Sequence, residues 1–225
     1  MHTMRREKAM KIKAVIWDLD GTLLNTLDDL ADSVNAVLAQ GGFPTHPTVA
    51  YQTFVGNGAE MLIRRALPEG ADEETVRRTL KNFQAYYGEH CLDKTCPYEG
   101  VPQALKSLKQ AGLRLAVLSN KPHPFTCELA ERFFPHVFDA VAGNRAEFPR
   151  KPEPHAPCWL AGRLGVLPED CFFVGDSGVD MQTGVKAGMH PCGVSWGFRG
   201  EEELLQNGAK LVLHAPAELE KLAKI

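Results

Sequence analysis

Two aspartates separated by a single residue carry the clearest chemical signal in this sequence. They lie in the segment Asp18-Leu19-Asp20-Gly21-Thr22. Because Asp, Gly and Thr are common turn residues, a capped turn is the ordinary interpretation. The alternative is a reaction site in which Asp18 is a nucleophile or metal ligand and Asp20 is a proton donor. Backbone N–H groups at Gly21 and Thr22 would then bind an anion. The segment alone leaves both interpretations open.

Three further groups of polar residues complement these carboxylates. Ser119 and Asn120 offer a hydroxyl and backbone N–H groups for phosphate oxygens, and Lys151 offers a positive charge. Asp176 and Asp180 offer oxygen atoms of the kind that Mg²⁺ prefers as ligands. Together these residue types predict one site that processes a phosphate group with the help of Mg²⁺.

Charge arithmetic makes a cation a requirement of such a site. Ionised Asp18 and Asp176 together with a phosphomonoester dianion carry about −4, which would raise a carboxylate pKa unless cations compensate. Mg²⁺ and Lys151 contribute about +3, and backbone N–H groups can share the remainder. We therefore expect Mg²⁺ as the cofactor.

These residues need a scaffold that brings distant segments to one place, and the apolar pattern supplies it. Apolar runs at 12–17, 113–118 and 171–174 predict buried strands, and polar, turn-forming residues follow each run. Helical patterns separate or follow the strands, at 101–110, 125–134, 156–164 and 181–187. This alternation predicts an α/β fold, a Rossmann-like parallel sheet with helices on both faces. Ligands of such sheets bind beyond the carboxyl ends of the strands, where the polar residues lie.

A long insertion interrupts this alternation. About ninety residues separate the turn after the first strand from the second strand, which is far more than one crossover helix needs. Helical patterns at 27–40, 61–67 and 76–87 fill the gap. We therefore predict a core domain of residues 1–24 and 97–225 and a helical cap of residues 25–96. Gly41-Gly42 and Gly56-Asn57-Gly58 would break the cap helices.

The order and spacing of the four groups resemble the motifs of the haloacid dehalogenase superfamily. Asp18, Ser119, Lys151 and Asp176 are 101, 32 and 25 residues apart. The resemblance implies a C1-type helical cap on a Rossmann-like core, with an aspartyl-phosphate formed at Asp18 and acid–base chemistry at Asp20. It also implies Mg²⁺ ligands at Asp18, Asp20 and Asp176, with Asp180 orienting them. Dehalogenases and phosphonate hydrolases of that superfamily do not carry an Asp at the position of Asp20.

Within the superfamily the chain is most similar to phosphoglycolate phosphatases, over about residues 14–197. The segments that show this similarity are the first motif, a cap segment at 55–67, Tyr86-Tyr87-Gly88, and the segments at 119–122 and 173–177. The resemblance implies hydrolysis of 2-phosphoglycolate, with Arg65 of the cap binding the substrate carboxylate. Phosphatases for a sugar phosphate, a nucleotide or pyrophosphate, and a phosphomutase, remain alternatives. A receiver-like phospho-aspartate switch is a further alternative, although Asp20 and the large cap argue against it.

Three departures from the family pattern carry expectations of their own. Asn25 stands where Asp is common, and we expect it to cap a helix. His155-Ala156 replaces a common Asp-Pro, and Pro157 would restart the helix one residue later. Gly178-Val179 precedes Asp180 where a polar pair is common, which puts hydrogen bonds from that loop in question.

Composition limits the partners. The 225 residues are 44% hydrophobic, which suits a full-size core, and 25 basic against 28 acidic residues give a net charge of −3. Such a balance offers no basic face for nucleic acid. No apolar run reaches the roughly 18 residues of a membrane span, and residues 1–10 lack the apolar stretch of a secretory signal. We expect a cytoplasmic enzyme, monomeric or homodimeric, whose partner is a small phosphorylated metabolite.

Overall fold

Short apolar segments form the central sheet of the protein. The computed structural model describes residues 11–225, so the N-terminal segment discussed above lies outside it. The strands are β1 (Ala14–Trp17), β2 (Leu24–Asn25), β3 (Cys96–Pro97), β4 (Arg114–Pro122), β5 (Ala140–Asn144), β6 (Cys171–Gly175), β7 (His190–Val194) and β8 (Leu211–Leu213). The α-helices are α1 (Leu27–Gln40), α2 (Tyr51–Phe54), α3 (Ala59–Ala66), α4 (Glu73–His90), α5 (Val101–Gln110), α6 (His123–Phe133), α7 (His155–Leu164), α8 (Gly178–Lys186) and α9 (Glu201–Gln206). None of the helices within 11–225 has the length and apolar character to cross a membrane.

Six of the strands form one sheet in the order β5-β4-β1-β6-β7-β8, and every neighbouring pair is parallel. Alternate residues of β1 point to opposite faces, as the pleat requires. Val15 and Trp17 pack in a cluster with α5, while Ala14 and Ile16 pack in a second cluster with α7. The predicted α/β fold with helices on both faces is therefore confirmed. The carboxyl ends of all six strands meet at one edge.

The sequence pattern identified three of these six strands and missed β5, β7 and β8. Their sequences, AVAGN, HPCGV and LVL, are short and contain few β-branched or aromatic residues. Their strand conformation comes from pairing with neighbours that are distant in sequence. The expectation for the second departure, His155-Ala156, was wrong in its boundary: α7 begins at His155. Pro157 lies within its first turn, where the missing N–H has no helical partner to lose.

The helices α1 to α4 lie between β2 and β3 and share their own apolar core, with Leu38, Tyr51, Ile63 and Tyr87 among its buried members. The chain enters and leaves this cap side by side, because Leu24 pairs with Pro97 and Asn25 with Cys96 in an antiparallel ribbon. The Asn25 side chain accepts a 3.3 Å hydrogen bond from the backbone N–H of Leu27 at the start of α1. The N-cap residue of α1 is Thr26, so Asn25 lies one residue before the capping position that we expected it to occupy.

A buried carboxylate joins α1 to the returning segment. Asp29 is 2% exposed and accepts hydrogen bonds from the backbone N–H of Lys94, at 2.9 and 3.1 Å, and of Thr95, at 2.8 Å. One turn further along α1, Asp32 forms an exposed ion pair with the Lys94 ammonium at 2.6 Å. Two carboxylates of the same helix thus contact the same residue, one inside the protein and one in solvent.

We predict that Asp29→Ala lowers the free energy of unfolding by about 2 to 4 kcal/mol, because it leaves buried N–H groups unpaired. For a chain of this length each kcal/mol corresponds to about 2 to 4 °C in melting temperature. The control Asp32→Ala removes only the exposed pair and should change the melting temperature by a small fraction of that amount. Thermal unfolding followed by circular dichroism measures both, and equal shifts would refute an anchoring role for Asp29.

Candidate active site

The carboxyl ends of β1, β4 and β6 border a cavity between the core and the cap. Asp18 follows β1, Ser119 lies near the end of β4, and Asp176 follows β6, and all three line the cavity. Lys151 reaches it from the loop between β5 and α7. The parallel register therefore brings together residues that are up to 158 positions apart in the sequence, from Asp18 to Asp176.

Three carboxylates form the centre of the site. Asp18, Asp176 and Asp180 are all buried, and each offers one oxygen such that these atoms lie within 4.8 Å of one another. Asp180 is fully buried at the start of α8, where its Oδ2 accepts hydrogen bonds from the backbone N–H of Ser177, at 3.1 Å, and from its hydroxyl, at 2.6 Å. The Gly178-Val179 departure thus leaves the hydrogen bonds between Ser177 and Asp180 in place.

Lys151 partly neutralises this cluster. Its ammonium lies 2.7 Å from Asp18 Oδ1 and donates a 2.7 Å hydrogen bond to Asp180 Oδ1. The contact with Asp18 is an ion pair outside hydrogen-bond geometry, and Asp18 Oδ1 accepts no hydrogen bond from the described residues. Burial, reinforced by the charge of Asp180 and opposed by Lys151, raises the pKa of Asp18 from 3.8 to about 7.

The cluster suits a divalent cation. Burial, followed by the charges of Asp180 and Asp18, raises the pKa of Asp176 well above its usual value of 3.8. Three carboxylates with one ammonium leave negative charge uncompensated. Hard oxygen atoms of this kind are what Mg²⁺ binds. Asp18, Asp176 and Asp180 each offer an oxygen to such an ion, and Asp18 and Asp176 are the two that the sequence predicts as direct ligands.

The carboxylate of Asp20, a residue predicted to bind the metal, is not a member of this cluster. Its Oδ1 accepts hydrogen bonds from Lys121 Nζ at 2.9 Å and from Thr26 Oγ1 at 2.7 Å. The Lys121 ammonium also lies 4.7 Å from the centre of the Tyr87 ring, which the cap contributes. Both hydrogen bonds fall on Oδ1, so no described residue bonds Oδ2, and that oxygen can carry or accept a proton.

Ser119 and Asn120 have different surroundings although they are adjacent. Ser119 Oγ accepts a 3.1 Å hydrogen bond from the backbone N–H of Lys121, and its own hydroxyl proton is given to no described residue. The Asn120 side chain accepts from Lys151 N at 2.9 Å and donates to Lys151 O and to Gly56 O of the cap. Ser119 can therefore donate to an anion, whereas the Asn120 amide positions the Lys151 loop.

The backbone N–H groups of Gly21 and Thr22, which were predicted to bind an anion, donate within their own turn. The N–H of Gly21 donates to Leu24 O and that of Thr22 to Leu19 O, and neither residue lines the cavity. Thr22 Oγ1 instead lies 3.4 Å from Asp176 Oδ1 as a donor. Their N–H groups are consumed by the turn itself, so these residues shape the loop that follows Asp18.

Asp176 is held in a narrow space. Its Oδ2 accepts a 2.7 Å hydrogen bond from the backbone N–H of Phe198. A Cβ at Gly21 would approach that oxygen to 2.2 Å, and a Cβ at Gly197 to 2.5 Å. Gly21 also has a φ of +81°. Glycine is required at both positions because the carboxylate occupies the space on each side.

Arg65, predicted to face the substrate, does not line the cavity. Its guanidinium donates to Thr53 O at 3.3 Å, Phe54 O at 2.9 Å and Asn57 Oδ1 at 2.7 Å, all within the cap. Another arginine, Arg199, does line the cavity. It comes from the core, in the loop between β7 and α9.

Sequence reasoning missed Lys121 as the partner of Asp20, and it missed Phe198 and Arg199 altogether. A signal was available for the latter pair: Trp196-Gly197-Phe198-Arg199-Gly200 is a turn-rich segment, as expected after a strand. The strand before it, β7, has the sequence HPCGV, which does not match the pattern used to predict strands.

Comparison with known proteins agrees with this geometry. The family model described as haloacid dehalogenase-like hydrolase matches residues 15–194. A phosphoglycolate phosphatase of Pasteurella multocida is 35% identical over 196 residues, covering 84% of this chain and 88% of that protein. One from Haemophilus influenzae is 36% identical over 197 residues, with the same two coverages. The crystal structure of a predicted phosphoglycolate phosphatase from Haemophilus somnus is 30% identical, has a TM-score of 0.88, and covers 96% of this chain and 99% of that chain.

We predict that Asp176→Asn stabilises the metal-free protein at pH 8 by about 1 kcal/mol or more, or about 2 to 4 °C, because it removes one of three buried negative charges. The folded-state pKa of Asp18 is raised from 3.8 to about 7, so this carboxyl ionises first in the unfolded chain as the pH rises. Stability of the metal-free parent should therefore fall between about pH 4 and pH 7. The gain from Asp176→Asn should be largest above that window.

Thermal scans in chelator and in excess Mg²⁺, at pH 5 and pH 8, provide the measurement. Mg²⁺ should raise the melting temperature of the parent at pH 8, and Asp176→Asn should lose most of that response. The exposed change Asp32→Asn controls for net charge. An Asp176→Asn protein that responds to Mg²⁺ as the parent does would exclude Asp176 as a ligand.

Proposed function

We propose, from the premise that this chain belongs to the haloacid dehalogenase-like hydrolase family and is a hydrolase of phosphoric monoester bonds, that its substrate is 2-phosphoglycolate. The products would be glycolate and phosphate, formed through an aspartyl-phosphate on Asp18. The observation that carries this proposal is the position of Asp18. It is buried at the end of β1, and the Lys151 ammonium lies 2.7 Å from its Oδ1.

In the first half of the reaction, an Asp18 oxygen forms a bond to phosphorus while the bond from phosphorus to the leaving oxygen breaks. Asp20 transfers its proton to that oxygen, and glycolate leaves. Lys151 holds Asp18 in place and offsets the charge of the phosphoryl oxygens. The hydroxyl of Ser119 can donate to one of those oxygens.

In the second half, the ionised Asp20 takes a proton from water. The water oxygen bonds to phosphorus while the bond from phosphorus to Asp18 breaks, so phosphate leaves and both aspartates return to their starting states. Lys121 and Thr26 hold the Asp20 side chain in place through their hydrogen bonds to its Oδ1. The phenol ring of Tyr87 covers Lys121 from the cap side.

Mg²⁺, held by Asp18 and Asp176, would supply positive charge against the phosphate and favour the ionised forms of both carboxyls. The raised pKa values of both groups support this assignment, because a carboxyl that is protonated at neutral pH is a poor nucleophile.

The cap side of the cavity supports a small substrate. Leu30, Val55, Leu62 and Phe83 line it, and Tyr87 is the one polar side chain among the lining residues of the cap that the structure describes. Sugar hydroxyls require hydrogen-bond partners, and buried polar groups without them are costly. This wall therefore disfavours a sugar phosphate and a sugar phosphomutase. Nucleotides and pyrophosphate are the alternatives that need direct measurement.

Release of phosphate from a panel of small phosphomonoesters, with Mg²⁺ present, tests the proposal. We expect the highest kcat/KM for 2-phosphoglycolate, with lower values for glucose 6-phosphate, a nucleoside monophosphate and pyrophosphate. A clear preference for any of the other substrates would replace 2-phosphoglycolate. Accumulation of a stable acyl phosphate without phosphate release would instead indicate a phospho-aspartate switch.

We predict that Asp18→Asn abolishes turnover, because an amide neither attacks phosphorus nor carries the charge that holds a cation. Asp20→Asn should reduce kcat by about 10²- to 10⁴-fold, the usual worth of general acid–base catalysis. Steady-state kinetics measures both variants, and circular dichroism checks that each is folded. Activity of Asp18→Asn within about tenfold of the parent would rule out Asp18 as the nucleophile.

We also predict that excess chelator eliminates activity and that Ca²⁺ inhibits. Mg²⁺ prefers octahedral coordination at about 2.0 to 2.1 Å, whereas Ca²⁺ accepts more ligands at longer range and can occupy both oxygens of one carboxylate. Engaging both oxygens of Asp18 would leave none for attack. Titration of Ca²⁺ against Mg²⁺ in the phosphate-release assay gives the result, and equal rates with either ion would contradict it.

A further inference from the structure

We infer that Arg199 recognises the second anionic group of the substrate, a carboxylate, and so determines which phosphomonoester is hydrolysed. The inference rests on the proposed function and assigns to a core residue the role that sequence reasoning gave to Arg65 of the cap. It follows from three observations: the position of Arg199 at the cavity, the hydrogen bonds that its guanidinium already makes, and the guanidinium nitrogen that has no acceptor.

The position of Arg199 is tied to the reaction centre. Its chain neighbour Phe198 donates its backbone N–H to Asp176 Oδ2 at 2.7 Å, and Asp176 lies in the same cluster of carboxylates as Asp18. Gly197, one residue earlier, has no room for a Cβ beside Asp176. The segment 197–199 therefore packs directly against the Asp176 carboxylate. Arg199 lines the same cavity as Asp18.

Among the residues lining that cavity, three carry a positive charge: Lys121, Lys151 and Arg199. Lys121 is paired with Asp20, and Lys151 with Asp18 and Asp180. Arg199 has no partner among these carboxylates; its ion pair is with Glu203 on α9, at 3.5 Å and from Nε. It is the lining cation whose charge the reaction centre does not use.

The guanidinium of Arg199 is held in place and still has donor capacity. Nη2 donates to Thr53 O at 3.2 Å and to Val55 O at 3.0 Å, both in the cap. Nη1 is buried, and no described residue accepts a hydrogen bond from it. A buried guanidinium nitrogen without an acceptor is costly, and a carboxylate from the ligand would remove that cost. Because Nε and Nη2 are already anchored, little side-chain freedom is lost on binding.

The cavity strengthens such a contact. Apolar side chains form much of the wall on the cap side, including Leu30, Val55, Leu62 and Phe83. A charge–charge interaction in surroundings of this kind is stronger than in water. 2-Phosphoglycolate carries its carboxylate one carbon from the ester oxygen, so a phosphate at Asp18 places that group within the same small cavity.

A purely structural role is the alternative explanation for Arg199, because its hydrogen bonds to the carbonyls of Thr53 and Val55 join a core loop to the cap. Arg65 provides a matched control for this role. It donates to the same Thr53 carbonyl, and to Phe54 O and Asn57 Oδ1, but it does not line the cavity. Loosening the cap loop through Arg65 should therefore affect all substrates alike.

The experiment compares 2-phosphoglycolate with ethyl phosphate, which has a methyl group in place of the carboxylate. Arg199→Gln should lower kcat/KM for 2-phosphoglycolate by about 10- to 100-fold relative to its effect on ethyl phosphate. Arg65→Gln should lower kcat/KM for the two substrates by the same factor. Arg199→Lys, which keeps the charge but not the fork of donors, should recover part of the selectivity.

Binding without turnover gives a second measurement. In the Asp18→Asn background, calorimetry should show that Arg199→Gln weakens 2-phosphoglycolate and leaves the affinity for ethyl phosphate within about threefold. Circular dichroism and ethyl phosphate hydrolysis report whether Arg199→Gln is folded.

The outcomes separate the inference from the proposed function. Equal losses on both substrates for Arg199→Gln, matching Arg65→Gln, would overturn the inference and leave Arg199 as a cap anchor. A parent that hydrolyses 2-phosphoglycolate and ethyl phosphate equally, or prefers pyrophosphate to both, would overturn the carboxylate assignment while the hydrolase remains. A parent that hydrolyses none of them would remove the proposed function itself.

Discussion

The buried cluster of Asp18, Asp176 and Asp180 is the constraint on which the rest of the site depends. Carboxylates within 4.8 Å of one another in a buried setting repel, and the chain meets that repulsion with Lys151, placed between Asp18 and Asp180. Donors from several loops form hydrogen bonds to these carboxylates: Ser177 donates to Asp180, and Phe198 and Thr22 donate to Asp176. The loops that follow β1, β5, β6 and β7 thus each contact an atom of the cluster. Local order and catalytic charge therefore have the same cause.

The second carboxylate system is separate from the first. Asp20 is two residues from Asp18, yet its Oδ1 is bound by Lys121 and Thr26, away from the cluster. Two aspartates of one turn thus have different electrostatic surroundings. The pKa of Asp18 is raised by burial and by a neighbouring carboxylate, whereas Asp20 has an ammonium and a hydroxyl as its partners. A nucleophile that binds a cation and an acid that exchanges a proton need such a division.

One short segment of the cap, residues 53–56, contacts the core through its backbone carbonyls. The carbonyls of residues 53–56 accept hydrogen bonds from Arg65 within the cap and from Arg199 and Asn120 of the core. Asn120 in turn holds the loop of Lys151 through its other contacts. The cavity wall on the cap side, the lysine beside Asp18 and the arginine near Asp176 are therefore mechanically linked. This link gives the cap a direct route to the geometry of the reaction centre.

The sequence by itself determined the scaffold and the order of the chemistry. Apolar runs that end in polar turns predict β1, β4 and β6, and a parallel sheet must bring their carboxyl ends to one edge, so Asp18, Ser119 and Asp176 could be placed together without coordinates. Only the tertiary structure decided which partner each side chain takes. Lys121 pairs with Asp20, Asp180 joins the cluster, and the N–H groups of Gly21 and Thr22 are used within their own turn. The spacing of Arg65 on α3 predicts a helix face but not what that face meets, and Arg199 follows a strand whose conformation comes from its neighbours. Periodicity is a local property of the chain, whereas pairing, burial and the competition for donors are set by residues far away in the sequence.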